Sequence, residues 1–214
     1  MILYHGSEFI IEKPEFGKGK PYNDYGKAFY CTESYDLAAE WAVSENRDGF
    51  VNCYDFDIDG LSVLNLCDEK YSILEWLCLL IQNRTFDSNN QMIIEGKKYI
   101  SERYSINYEG YDVITGWRAD DSYFSFARAF LSNTISLNQL ERAMKLGDLG
   151  TQIAIVSEKA FNRLSFDKYN VAKNEIYYSS KKLREEGAVT DYRKMCSEST
   201  LPSETFILDL IRKG

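Results

Sequence analysis

Residues 25–42 read YGKAFYCTESYDLAAEWA, and the two halves of this stretch obey different periods. The segment 27–32 (KAFYCT) is short and aromatic, the composition of a strand. A few positions on, Leu37, Ala38, Trp41 and Ala42 recur at helical spacing, and Thr32 or Ser34 stands where a helix N-cap belongs. The stretch therefore predicts a strand that runs almost directly into a helix. It places Tyr30 near the end of the strand and Trp41 on the helix that follows.

Toward the N-terminus, residues 1–6 read MILYHG and form a short apolar run ending in a glycine, the pattern of a buried strand entering a turn. His5 is the only histidine in the 214 residues, so any chemistry needing imidazole falls to it, and a histidine-rich metal site is excluded. Residues 13–26 are rich in turn formers and charge and read as a loop. Toward the C-terminus, 50–58 (FVNCYDFDI) alternates as a strand, and 61–66 (LSVLNL) follows across Asp59-Gly60, a short turn signal. The segment 69–84 contains Ile73, Leu74, Leu77, Leu80 and Ile81 as one apolar stripe and is the clearest helix. Residues 85–91 are polar and read as a surface loop. A strand at 111–116 (YDVITG) and a helix at 121–132 come next, then a helix with a capping box of Ser136 with Gln139 and a stop at Gly147. A strand at 151–157 (TQIAIVS) follows. Beyond it the chain turns charged and helical over about 170–197, with a last amphipathic turn or two at 203–214. Strands and helices mix without βαβ regularity, so the expected class is α+β.

Composition narrows the function classes. Hydrophobic residues at 44% and charged ones at 27% are globular values. A net charge of −8 argues against a broad electrostatic grip on nucleic acid or acidic lipid. The mild lysine and arginine concentrations at 18–27 and 168–193 read as solvated faces. The five cysteines are an odd number without a C-x-x-C pair, which suits free thiols in a reducing compartment and offers no metal cluster. No apolar run reaches the roughly 18 residues of a membrane span, and the start lacks the pattern of a signal segment. The expected location is cytoplasmic, with no membrane partner.

Three pieces, LYHGS at 3–7, YGKAFYCTESYDLAAEWA at 25–42 and GTQIAIVS at 150–157, together resemble the ADP-ribosyltransferase superfamily, in the branch shared by diphtheria toxin and the poly(ADP-ribose) polymerases. The second piece carries most of the likeness, since YGKAFYCTES follows the polymerase pattern and the family's second stacking aromatic falls on Trp41. The resemblance extends over 1–166 and is strongest to bacterial members often encoded beside small antitoxin-like proteins. It implies a split β-sheet core with flanking helices over 1–166. The helical C-terminal extension over 167–214 lies outside that core, and Leu183, Phe206, Ile207 and Leu210 give it apolar residues with which to pack on it.

The resemblance also implies roles. NAD is the expected co-substrate, with no metal. Tyr30 and Trp41 would sandwich the flat nicotinamide ring, Gly6 would let backbone amides approach the carboxamide, and His5 would hydrogen-bond a ribose hydroxyl. Gln152 would contact the nicotinamide ribose as positive charge develops there. His5, Tyr30 and Gln152 are thus the catalytic candidates, and His5, Gly6, Tyr30 and Trp41 the cofactor-binding ones. Arg118, in GWRADDSYF at 116–124, is a further cofactor-binding candidate for the NAD pyrophosphate. At position 152 many relatives have glutamate, whereas a glutamine cannot carry charge or act as general base. Asp120 or Asp121 is the candidate for the missing carboxylate. The expected activity is single ADP-ribose transfer to a protein or nucleic-acid acceptor by an intracellular toxin or modifying factor, with a small antitoxin as partner. The alternative is an NAD-binding module of the same fold that has lost turnover and acts through protein contacts.

Overall fold

The computed structural model describes residues 1–86, 88–119, 121–146, 150–198 and 203–214. The chain divides into two units, one comprising Met1–Asn65, Tyr108–Gly116 and Thr151–Arg184, the other Leu66–Asn107, Trp117–Gly150 and Glu185–Gly214. The expected α+β class is observed.

The first unit is built on strands. β1 (Ile2–Ser7), β3 (Gly49–Phe56) and β7 (Leu164–Ala172) form a three-stranded sheet in the order β1-β3-β7, with both pairings antiparallel. β2 (Phe29–Cys31), β4 (Val63–Asn65), β5 (Val113–Trp117) and β6 (Thr151–Ile155) form a second sheet in the order β2-β6-β5-β4. The sheets meet where Tyr4 and Thr32 exchange backbone hydrogen bonds of 2.8 and 2.9 Å. Leu3, Cys31, Phe56, Val113, Ile153 and Ile155 bury one face as a common core. Helix α1 (Tyr35–Ala42) packs its alanines Ala38, Ala39 and Ala42 with Val51 and Ala172.

Ser34 is the cap of α1: its hydroxyl accepts from the Leu37 amide at 3.3 Å, while the Thr32 hydroxyl accepts from the Ser34 amide. Gly6 shows why β1 and α1 lie so close. A Cβ there would stand 1.8 Å from the Ala38 carbonyl oxygen, so only glycine admits the helix.

The second unit is helical, with α2 (Ile73–Asn83), α3 (Gln91–Arg103), α4 (Asp121–Leu131), α5 (Leu137–Ala143) and α8 (Ile207–Lys213). Trp76, Leu77, Leu79, Leu80, Ile100, Phe126 and Phe130 are fully buried in it. The four-residue helix α6 (Glu158–Phe161) belongs to the first unit, and α7 (Asn174–Ser197) gives its start to the first unit and its remainder to the second.

The expected Asp59-Gly60 turn is present, with Gly60 at φ 72°, and the strands it joins enter different sheets, β4 pairing in parallel with β5. Elsewhere the structure differs from the sequence expectations. Residues 164–172 are a strand, so the helical stretch expected from about 170 starts at Asn174. Residues 91–103 form a full helix, α3, that the polar reading of the preceding loop passed over. The stop expected at Gly147 lies outside the described residues.

Candidate functional site

The first unit brings three of the sequence candidates into one hydrogen-bonded set. β2 and β6 pair with Tyr30 opposite Ala154 and Cys31 opposite Ile153. Side chains alternate along strands, so the core takes Cys31, Ile153 and Ile155, and Tyr30 shares the opposite face of the sheet with Gln152 and Ala154.

Tyr30 is half-buried and its hydroxyl is held at both ends. It donates to the Gly26 carbonyl at 2.7 Å and accepts from the Tyr25 amide at 3.0 Å. Those two residues belong to a turn closed by the Gly26 amide on the Asn23 carbonyl at 3.0 Å, with Gly26 at φ 72°, where glycine is the residue without penalty. Asp24, in the same turn, is buried and accepts a 2.7 Å hydrogen bond from Nε2 of the buried Gln152. A carboxylate only accepts, which assigns the Gln152 atom facing it as the nitrogen.

His5 follows Tyr4, the β1 residue that bridges to Thr32, on a strand paired with β3 along its whole length. The Tyr30 carbonyl receives Nδ1–H of His5 at 2.7 Å. This bond fixes the tautomer with the proton on Nδ1, so Nε2 is the acceptor. The ring stacks on Phe29 at 4.2 Å between centroids. Burial lowers the His5 pKa from its ordinary value of 6.5, with the bond to Tyr30 opposing more weakly, so the imidazole is neutral at pH 7. Behind it, buried Asn52 donates to the carbonyls of His5 at 3.3 Å and Phe9 at 3.1 Å and accepts from the Ile11 amide at 2.8 Å, pinning the chain that leaves β1.

Trp41 is half-buried on α1, which Gly6 seats against β1. The missing Cβ of Gly6 faces the Ala38 carbonyl, so the helix contact accounts for this glycine. Three further candidates belong to the stretch 116–124. Arg118 is half-buried in the second unit, Asp121 opens α4 there with a side chain outside those described, and Asp120 lies outside the described residues. No group of three or more histidine, cysteine or acidic side chains suited to a metal occurs among the described residues.

Asp24, Asn52 and the 23–26 turn are parts of the set that sequence reasoning missed. The residues around Asp24 (YNDYG, 22–26) have the composition of an exposed turn, and its partner lies 128 positions away. The one available signal was an acid two residues before a glycine in the stretch leading to Tyr30.

The chemical capacity of the set is specific. A neutral imidazole offers an acceptor, a clamped phenol ring offers a flat face, and a buried amide backed by a carboxylate offers a polar group facing away from the apolar core. Residues 1–166 match the model of a family described as a protein of unknown function (DUF3990), and the chain belongs to that family. No curated protein and no solved structure matches the chain.

Proposed function

We propose that the protein is an NAD-dependent mono-ADP-ribosyltransferase whose donor site is the set on the first unit. The observation that carries this reading is the connection of His5, Tyr30 and Gln152 through one hydrogen-bonded turn, in residues whose order resembles that superfamily. The glycosidic bond between nicotinamide and C1′ of its ribose breaks, and nicotinamide leaves as a neutral ring with the bonding electrons. The acceptor's nucleophilic atom forms the new bond to C1′ and releases its proton to solvent. Tyr30 and Trp41 supply faces for the nicotinamide ring, and His5 Nε2 accepts from a ribose hydroxyl. Gln152 turns the amide dipole toward the positive charge that develops on the ribose. A split β-sheet core of the transferase type, a macromolecular acceptor and a small antitoxin-like partner belong to the same proposal.

A second reading has its own observation. Gln152 is neutral and its nitrogen is engaged by Asp24, which suits a site that holds NAD without turning it over. Incubation with labelled NAD and cell lysate, followed by separate nuclease and protease digestion, tests the first reading. Label that enters macromolecules and is released by one of the two treatments supports transfer and names the acceptor class. Binding of NAD without label transfer or nicotinamide release favours the second.

A further inference from the structure

We propose that Asp24 is the positioning residue for Gln152 and that the two side chains together supply the negative charge for which a lone glutamine has no means. This deepens the transferase reading and rests on it. Gln152 lies on β6 beside the buried Ile153, Ala154 and Ile155, and is itself only 4% exposed. An amide so placed needs a partner, since a buried polar group left unpaired is destabilising. Asp24 is such a partner, an acid with 5% exposure, bonded at 2.7 Å from 128 positions away.

Two consequences follow from this geometry. Nε2–H points at Asp24, so Oε1 is the other heteroatom of the amide, and its direction is set by the acid. An anion accepting from the amide N–H also draws electron density toward Oε1, because hydrogen bonds in series polarise one another in a low dielectric. The ribose side of Gln152 thus presents an oxygen more negative than an ordinary amide's, with a full charge one hydrogen bond behind it. Asp24 takes no proton from the acceptor in this arrangement. Its neighbours Tyr25 and Gly26 hold the Tyr30 hydroxyl, so a single turn sets both the stacking ring and the ribose-facing amide.

Four proteins test the pair: wild type, Asp24→Asn, Gln152→Glu and the double variant. Nicotinamide release gives kcat and KM for NAD, and thermal unfolding is followed in parallel. Asp24→Asn keeps size and shape, and is expected to lower kcat by about 10- to 100-fold with KM changed by less than about threefold. Gln152→Glu sets two carboxylates against each other, and is expected to lower both kcat and Tm. The double variant moves the charge across the bond, and should recover kcat to within about fivefold of wild type and recover Tm, as coupled neighbours do. Wild-type kcat in Asp24→Asn, or a double variant no better than Gln152→Glu, overturns the proposal. Wild type that releases no nicotinamide overturns the transferase reading instead. Unfolding then judges the pair, with rescue of Gln152→Glu by Asp24→Asn upholding it and simple additivity overturning it.

Discussion

The two units bury different chemistry. Among the described residues, the first unit buries Asp24, Thr32, Glu40, Asn52, Asp112 and Gln152, whereas the buried polar side chains of the second are Ser136 and Gln139. The latter two are a capping box, in which each side chain satisfies the other's backbone, and they also reach farther, Ser136 donating to Glu204 and Gln139 to the Met195 carbonyl. The polar groups of the first unit reach across its fold. Glu40 holds Arg184 at 2.8 and 3.1 Å, and Asp112 accepts from the Ser62 amide, the Ser157 hydroxyl and Lys159. Buried polar networks define one geometry when all members are satisfied, at the expense of desolvation. Among the described residues, the first unit thus holds six buried polar side chains in place and the second two.

Not every acid of the first unit is a site candidate, and Asp112 shows the difference. Its partners, the Ser157 hydroxyl first and then the Ser62 amide, lower its pKa to about 2, and all are structural groups at strand and helix ends. Asp24 instead accepts from Gln152, another of the site candidates.

This contrast can be broken or sharpened by experiment. The largest effect is expected in the second unit, where Trp76→Ala empties a fully buried position and removes the 3.0 Å hydrogen bond from its indole to the Trp117 carbonyl. A loss of about 4 kcal/mol is expected in denaturant unfolding. In the first unit, Gly6→Ala forces a methyl onto the α1 backbone and should destabilise by about 3 kcal/mol. Gly96→Ala on α3 is its counterpart: the nearest atoms stand 3.2 to 3.3 Å from the new Cβ, two of the three belong to side chains, and helix propensity improves. Its effect should stay within about 1 kcal/mol of zero. Equal losses at the two glycines would erase the distinction between them.

Tyr30→Ala should weaken NAD binding by about 2 kcal/mol, read by calorimetry on folded protein. Unchanged affinity would remove the stacking role.

The smallest effect concerns pH. The folded pKa of His5 lies below 6.5, so the unfolded chain takes up the proton first as pH falls. The stability tied to neutral His5 is complete above pH 6.5 and declines as pH drops through the folded pKa. NAD turnover should be level from pH 8 to 6.5 and fall below that, and a fall centred above 6.5 would contradict a neutral acceptor.

Local signals and long-range pairing divided what was legible in the sequence. Helices α2 and α5 were readable because stripe and cap are local, and the capping box of Ser136 with Gln139 is present. Strands β1, β2, β3, β5 and β6 were readable from short apolar or aromatic runs. β7 was not, because its register against β3 shifts between Cys53 and Tyr54, leaving Asp167 as an extra residue that breaks the alternation between Phe166 and Tyr169. Helix α3 buries only Ile93, Gly96 and Ile100, too thin a stripe to stand out. Of the hydrogen-bonded set on the first unit, His5, Tyr30 and Gln152 were named through the family resemblance, but Asp24 looks like turn punctuation until β6 arrives beside it.

Nicotinamide release by purified protein, compared between wild type and Gln152→Ala, tests the central claim most directly. The account predicts steady release by wild type and a decrease in kcat of about 10- to 100-fold in the variant, with KM for NAD nearly unchanged. Wild type that neither releases nicotinamide nor binds NAD, or a folded variant with the wild-type rate, would contradict it.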